Sequence, residues 1–209
     1  MNDDIDVRVF VAEGSRLPKN KKFIKAAKQI GEYLGKRKYV YLQGCNEYGL
    51  MGATYNEFIK YNDKARLVDL NVVYFDNYHE DMVGDRIKCS NLNNRLQTFA
   101  DNTDILVVLP GANGTVHEFT TFFEINRMYP NAYEIILLNM DHFYDKLIEF
   151  YDVMAEQDLC DGNEFREQVR VVTTVEEVID LIKNYKRRPA VERLVLKKRD
   201  VYIEGDYKD

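Results

Sequence analysis

The chain has 209 residues and a formal net charge of −6, with 45% hydrophobic and 31% charged residues. This length and mixture are typical of one globular domain and exclude a wholly disordered chain, a collagen and a small disulfide scaffold. The acidic balance disfavours nucleic-acid binding, and the lack of any apolar run near 18 residues disfavours a membrane helix.

The rarer residue types give no sign of a metal centre or a disulfide framework. No two cysteines form a CxxC pair, and the histidines lack the spacing of metal ligands; these residues are Cys45, Cys89, Cys160, His79, His117 and His142. We therefore predict neither a metal nor a cofactor. The acidic start of the chain is unlike a secretory leader, so we expect a soluble, cytoplasmic protein.

Strand-like and helix-like segments alternate along the chain. In chain order, the pattern predicts a strand at 5–12, a helix at 21–35, a strand at 39–42, a glycine-containing loop at 43–52 that opens a helix toward residue 61, and a strand at 67–75. It then predicts a loop at 77–90, a helix at 91–100, a strand at 104–109, a tight turn at 110–114 and a helix to about 128. A strand at 134–138, a helix at 143–156, a strand at 170–172 and a helix at 174–185 complete the series.

This alternation predicts an α/β fold, a Rossmann-like doubly wound parallel sheet with helices on both faces. We expect residues 1–188 to form one nucleotide-binding or hydrolase domain. The charged segment 189–209 follows as a solvated tail, or alternatively as an arm that packs on a partner subunit.

Three glycine-bearing turns follow predicted strands, at 13–15, 44–52 and 110–115. In a doubly wound sheet, ligands bind beyond the carboxyl ends of the strands, where the strand order switches. The third turn is the most informative, because a glycine turn before a helix N-terminus presents backbone N–H groups to an anion such as phosphate. Thr115 adds a hydroxyl there, and Glu118 lies one helical turn further on.

The segment Pro110–Glu118 (PGANGTVHE) resembles the PGGxGTxxE signature of the Lonely Guy family, long mislabelled as lysine decarboxylases. Arg95 lies fifteen positions before Pro110, as the family arginine does. The residues at 9–15, the segment Gly49–Gly52 (GLMG) and the segment 138–145 also resemble family motifs in the same order. The likeness extends over about residues 5–185.

The resemblance implies a phosphoribohydrolase, an enzyme that hydrolyses the N-glycosidic bond of a nucleoside 5′-monophosphate to the free base and ribose 5-phosphate. It implies catalytic roles for Glu118 and Arg95, without a metal or redox cofactor. It places phosphate or nucleotide binding on Gly14, Ser15, Gly111, Ala112, Asn113, Gly114 and Thr115, and a lesser part of the pocket on Gly44, Gly49 and Met51. It also implies a homodimer.

This sequence departs from the family pattern at Ala112, which replaces the second glycine, and no basic residue follows Arg95. These departures leave two alternatives open: a non-catalytic sensor of a nucleotide signal on the same fold, or a hydrolase of pyrimidine or modified-base monophosphates. The substrate base, a cytokinin riboside monophosphate or AMP among others, stays undetermined. Lysine decarboxylation is disfavoured, because no lysine for binding pyridoxal phosphate is recognisable. Cys45 is interpreted as a buried thiol and His117 as a surface histidine.

Overall fold

The computed structural model describes residues 7–70 and 82–186. The strands are β1 (Arg8–Ala12), β2 (Val40–Gln43), β3 (Ala65–Leu70), β4 (Asp85–Cys89), β5 (Ile105–Val108), β6 (Glu134–Leu138) and β7 (Val169–Val172). The helices are α1 (Lys21–Lys36), α2 (Gly49–Phe58), α3 (Leu92–Asp101), α4 (Asn113–Met128), α5 (Asp145–Glu156), α6 (Glu164–Gln168) and α7 (Val175–Asn184), with a 3₁₀ turn at Met140–His142.

The strands form one parallel sheet in the order β4-β3-β2-β1-β5-β6-β7. The chain builds outward in one direction from β1 and then returns to its other side with β5, so the strand order switches between these two strands. Val9 pairs with Ile105 and Ala12 with Val108. This register brings the loops that follow β1 and β5 side by side at the carboxyl edge, which is where a doubly wound sheet binds its ligand.

A separate apolar core fills each face of the sheet. On one face, side chains of α1, α2 and α7, such as Ile30, Phe58 and Ile182, pack on alternate strand residues. On the other face, α3, α4 and α6 contribute aromatic side chains such as Phe99 and Phe122. Strand β5 is buried on both sides, which explains its continuous apolar sequence.

Two glycines allow α1 and α2 to pack in close contact. A Cβ at Gly31 would lie 2.1 Å from the carbonyl oxygen of Thr54, and one at Gly35 would lie 2.6 Å from that of Phe58. Larger side chains on this face of α1 would push α2 away from the sheet. The contact therefore holds Thr54 at a fixed depth beside the carboxyl edge.

The fold confirms the predicted doubly wound sheet, and β6 has the predicted limits. The loop prediction at 77–90 is wrong in part, because β4 pairs with β3 at the sheet edge; its sequence, DRIKC, lacks an apolar pattern because only Cys89 is buried. The predicted loop at 43–52 is wrong at its end, since residues 49–52 already belong to α2. The pattern also missed the short helix α6.

Parts of several predicted elements lie outside the described residues: the first residues of the strand at 5–12, the end of the strand at 67–75, part of the loop at 77–90, and the whole segment 189–209. Within the described part of the chain, no helix is long and apolar enough to span a membrane.

Candidate active site

A cavity of about 710 Å³ opens at the carboxyl edge of the sheet, over the switch point between β1 and β5. Its walls come from the loops after β1, β2 and β5, from the starts of α2 and α4, and from α3. The lining residues with polar or charged side chains are Glu13, Ser15, Arg16, Cys45, Asn46, Asp69, Arg95, Asn113, Thr115 and Glu118. The fold thus brings into one cavity three of the segments that the sequence analysis singled out.

The loop after β5, residues 110–115, forms one wall of the cavity. Gly111 is required there, because a Cβ would lie 2.1 Å from Oγ1 of Thr115. The backbone N–H of Gly14 donates a hydrogen bond to the carbonyl of Pro110 (3.2 Å), which joins the first and third glycine turns. Helix α4 has no side-chain cap, and the residues of its first turn, 113–115, line the cavity. The first N–H groups of a helix have no intrahelical partner.

Ala112 is the N-cap of α4, with φ −103° and ψ −157°. This is extended backbone, which alanine adopts as readily as glycine. The replacement of the second signature glycine therefore leaves the loop unstrained, and its methyl group lies at an exposed position at the cavity wall.

Three contacts hold Arg95 in place on α3. Its Nε donates to the carbonyl of Val68 (3.3 Å), its Nη2 donates to the carbonyl of Gly44 (3.1 Å), and its guanidinium lies 5.2 Å from the ring centre of Phe99. A Cβ at Gly44 would lie 2.1 Å from Nη2. Gly44 therefore contributes to the site by leaving room for the arginine.

Glu118 faces Arg95 across the cavity, with 4.0 Å between Oε1 and Nη1 and 13% of its side chain exposed. Burial raises the pKa of Glu118 to about 7, an effect that the positive charge of Arg95 partly offsets. A carboxylate with this pKa can take up or release a proton near neutral pH. The two residues predicted as catalytic are thus neighbours in space although 23 positions apart in sequence.

Glu13 is a site residue that sequence reasoning missed as such. It is 5% exposed and lines the cavity. Thr54 Oγ1 donates to its Oε2 (2.8 Å) and Tyr41 Oη donates to its Oε1 (3.4 Å). Burial, with a smaller contribution from the negative charge of Glu118, raises the pKa of Glu13 to about 8. Its place directly after a buried strand at the switch point was the signal available in the sequence.

The second glycine turn contributes Gly44 and Met51 to the cavity lining, whereas Gly49 lies behind it. Gly49 adopts a left-handed conformation (φ +64°), and a Cβ there would lie 2.4 Å from the backbone of Ser15 and Arg16. It lets α2 approach the first turn, where the amide of Leu50 donates to the carbonyl of Gly14 (2.9 Å). Cys45 is 2% exposed and burial raises the pKa of its thiol to about 11, which agrees with its interpretation as a buried thiol.

Aromatic side chains stand at one side of the cavity mouth. Phe143 is 44% exposed and contacts Phe23 edge to face, with 5.6 Å between ring centres. The turn before Phe143 contains two left-handed residues, Asp141 (φ 52°) and His142 (φ 60°). Asp141 pairs with Lys22 of α1 (2.9 Å), which ties this turn to the helix that carries Phe23.

Within residues 7–70 and 82–186, no group of three or more His, Cys, Asp or Glu side chains has an arrangement that could hold a metal ion. The lining residues in this described part include two arginines, Arg16 and Arg95, but no lysine. The chemistry available in the cavity is therefore that of carboxyl groups, guanidinium groups and backbone amides.

One protein-family model and several curated proteins are similar to this chain. A family model described as "Possible lysine decarboxylase" matches residues 51–182. The rice protein named "Probable cytokinin riboside 5'-monophosphate phosphoribohydrolase LOGL6" is 24% identical over 183 residues, 87% of this chain and 72% of its own length. The Arabidopsis thaliana protein named cytokinin riboside 5'-monophosphate phosphoribohydrolase LOG3 is 24% identical over 194 residues, 91% and 87% of the two chains.

Among solved structures, the molybdenum cofactor carrier protein of Chlamydomonas reinhardtii has a similar fold. The TM-score is 0.65 with 15% sequence identity, over 85% of this chain and 96% of the carrier. At this identity the likeness shows the fold alone.

Proposed function

This chain belongs to the family described as "possible lysine decarboxylase", which is the Lonely Guy family, and we propose that it is a nucleoside 5′-monophosphate phosphoribohydrolase. In this reaction a water oxygen bonds to C1′ of the ribose and the C1′–N bond to the base breaks. The attacking water gives up a proton, the departing base takes one, and the products are the free base and ribose 5-phosphate.

The observation that carries the proposal is the Arg95–Glu118 pair, 4.0 Å apart beside a helix N-terminus that suits phosphate. A phosphate on the amides of residues 111–115 directs the ribose toward this pair. The planar donors of Arg95 hold the sugar phosphate. Glu118 orients and deprotonates the water, and its negative charge stabilises the positive charge that develops on the ribose.

The pKa of Glu118 gives this mechanism a pH dependence. Because Glu118 acts as the base, it must be ionised in the free enzyme, and its pKa is about 7. We expect kcat/KM to fall about tenfold for each pH unit below 7 and to level off just above it. Binding of the remote phosphate contributes energy that positions the sugar for attack.

We place the base against Phe143 at the cavity mouth. Phe143 is exposed and lines the cavity, and aromatic rings stack on nucleobases with little preference among them. This arrangement suits purine, pyrimidine and modified bases, so both a cytokinin riboside monophosphate and AMP belong to the candidate substrates.

Decarboxylation of lysine, which the family description suggests, has little support. Pyridoxal phosphate enzymes hold their cofactor through a lysine Schiff base, and no lysine lines the cavity among the described residues.

A nucleotide-binding protein without turnover is the second candidate, since a protein with this fold is named as a cofactor carrier. Two departures in the sequence favour this alternative, Ala112 and the lack of a basic residue after Arg95. The extended backbone of Ala112 leaves the phosphate loop unstrained, which weakens the first of them. The facing Arg95 and Glu118 favour the hydrolase.

The test is a chromatographic assay of the purified protein with AMP, GMP, CMP, UMP, dCMP and isopentenyl-AMP. Release of a free base supports the hydrolase and identifies the leaving group. If no base is released while the folded protein binds a nucleotide, the binding protein is the better assignment.

We also propose that the protein is a homodimer. Helix α5 leaves Phe150 57% and Val153 45% exposed, which is apolar surface suited to a subunit contact. Light scattering after size exclusion should give a mass of two chains; a single-chain mass at micromolar concentration contradicts this expectation.

A further inference from the structure

Glu13 borders the loop at residues 110–115, and the role given to it here rests on the proposed binding of a phosphate by that loop. Glu13 is the last residue before Gly14, whose N–H bonds to the carbonyl of Pro110. A Cβ at Gly14 would lie 3.5 Å from Cα of Gly111, so the two loops are in backbone contact. Glu13 therefore lies beside the loop that is proposed to bind phosphate, in the same cavity.

The partners of Glu13 orient its carboxyl group but do not neutralise it. They are the hydroxyls of Thr54 and Tyr41. Among the described residues, no Lys or Arg forms an ion pair with this carboxyl group, and Arg95 faces Glu118 instead.

The charged and titratable groups around Glu13 come from six parts of the chain. They are Arg16 from the loop after β1, Tyr41 from β2, Cys45 from the loop after β2, Asp69 from β3, Arg95 from α3 and Glu118 from α4. Arg95 is engaged by two backbone carbonyls and faces Glu118. Asp69 pairs with Arg86, 3.4 Å away.

Burial with no cation as a partner disfavours the ionised form of Glu13, and the negative charge of Glu118 disfavours it further. The pKa of Glu13, about 8, keeps the group mostly protonated at neutral pH. In that state it adds no negative charge beside the phosphate loop. Above pH 8 it ionises, and the cavity that the loop lines then contains a second buried carboxylate besides Glu118.

We propose that Glu13 is a specificity-determining residue: in its neutral form it lets a phosphate dianion bind at residues 110–115, and in its ionised form it repels the dianion. Two like charges close together in a cavity of reduced dielectric oppose each other strongly. Phosphate esters should therefore bind more weakly as the pH rises above 8, whereas a nucleoside without phosphate should bind independently of this ionisation.

The test is a calorimetric titration of the full chain with ribose 5-phosphate and with AMP between pH 7 and 9.5, where the phosphate of both ligands is already largely dianionic. For the unaltered protein we expect the dissociation constant to rise about tenfold for each pH unit above 8, since binding requires one proton on Glu13. Glu13→Gln imitates the protonated acid, so its dissociation constant should stay level over this range. Ionisation of Glu118 near pH 7 affects both proteins alike.

A second pair of variants separates this role from a structural one. Thr54→Val removes a hydrogen bond that favours the charged form of Glu13, so the pH at which affinity begins to fall should move upward. Thr54→Ser keeps the hydroxyl and should leave that pH unchanged. If Thr54 has only a structural role, Thr54→Val should have a lower melting temperature, but the pH at which affinity begins to fall should not change. These variants also keep the proposal testable if Glu13→Gln fails to fold.

Two results overturn the inference: parallel pH dependence in the unaltered protein and Glu13→Gln, or no binding of either ligand at any pH. The titration needs no turnover. If the protein releases no base, and its dissociation constant rises above pH 8 while that of Glu13→Gln stays level, the inference about Glu13 stands and the hydrolase is excluded. If the protein hydrolyses a monophosphate, and Glu13→Gln shows the same rise of the dissociation constant with pH, only the inference about Glu13 is wrong.

Discussion

Gly44→Ala is a substitution whose effect can be worked out from the geometry. Gly44 does not have a positive φ, so its backbone accepts alanine. The new Cβ would lie 2.1 Å from Nη2 of Arg95, and restoring an ordinary 3.4 Å contact displaces the guanidinium by about 1.3 Å. The hydrogen bond from Nη2 to the carbonyl of Gly44 and the approach of Arg95 to Glu118 depend on this position. A shift of about 1 Å at a catalytic group lowers the rate by about 100-fold.

The assay is steady-state hydrolysis of whichever monophosphate the panel identifies, with kcat/KM measured from pH 5.5 to 8.5. We expect the 100-fold loss together with a shift of the acid limb to higher pH, since Arg95 is the charge that lowers the pKa of Glu118. The matched control is Gly162→Ala, where the added Cβ meets only an ordinary contact, 3.8 Å from Cβ of Ala155. If Gly44→Ala melts like the unaltered protein and retains its kcat/KM, the position of Arg95 does not limit the reaction.

Three further substitutions test other parts of the site. Glu118→Gln should lower kcat by about 10²–10⁴-fold while calorimetry finds nucleotide affinity nearly unchanged; full turnover would remove Glu118 from the mechanism. Gly49→Ala should lower the free energy of unfolding in urea by more than about 2 kcal/mol, because φ is +64° and the Cβ would lie 2.4 Å from backbone atoms; native stability would contradict the packing of α2 on the first turn. Phe143→Ala should weaken AMP binding about tenfold, as for loss of a stacked base, without changing ribose 5-phosphate affinity; equal loss for both ligands would place the base elsewhere.

The sequence alone predicted the elements that are strongly apolar. Strands β5 and β6 are buried on both faces, so their composition differs sharply from the flanking turns. Strand β4 escaped prediction because it is an edge strand in which only Cys89 is buried, so its sequence has no apolar pattern. Its backbone pairing with β3 makes it a strand. Helix α6, only five residues long, has too few residues to display a helical period.

The candidate site also has features that the sequence predicted and features that only the structure supplies. The spacing of Arg95 and of Pro110–Glu118 is a property of the chain, and it was sufficient to indicate a phosphate site with a nearby carboxylate. Whether Ala112 is strained depends on its backbone angles, which only the structure supplies. The position of Glu13 after a buried strand was visible in the sequence, but its burial and its contacts with Thr54 and Tyr41, which are distant along the chain, were not.

The sequence by itself determined the family, the parallel doubly wound sheet and the residues that border the switch point, because local patterns and short motifs encode these features. The tertiary structure decided the 4.0 Å approach of Arg95 to Glu118, the need for glycine at position 44, and the buried state of Glu13. Distances and burial between remote residues arise only when parallel strands end at one edge of a common sheet. Burial of a carboxyl group there changes its pKa, and with it the chemistry that the cavity can perform.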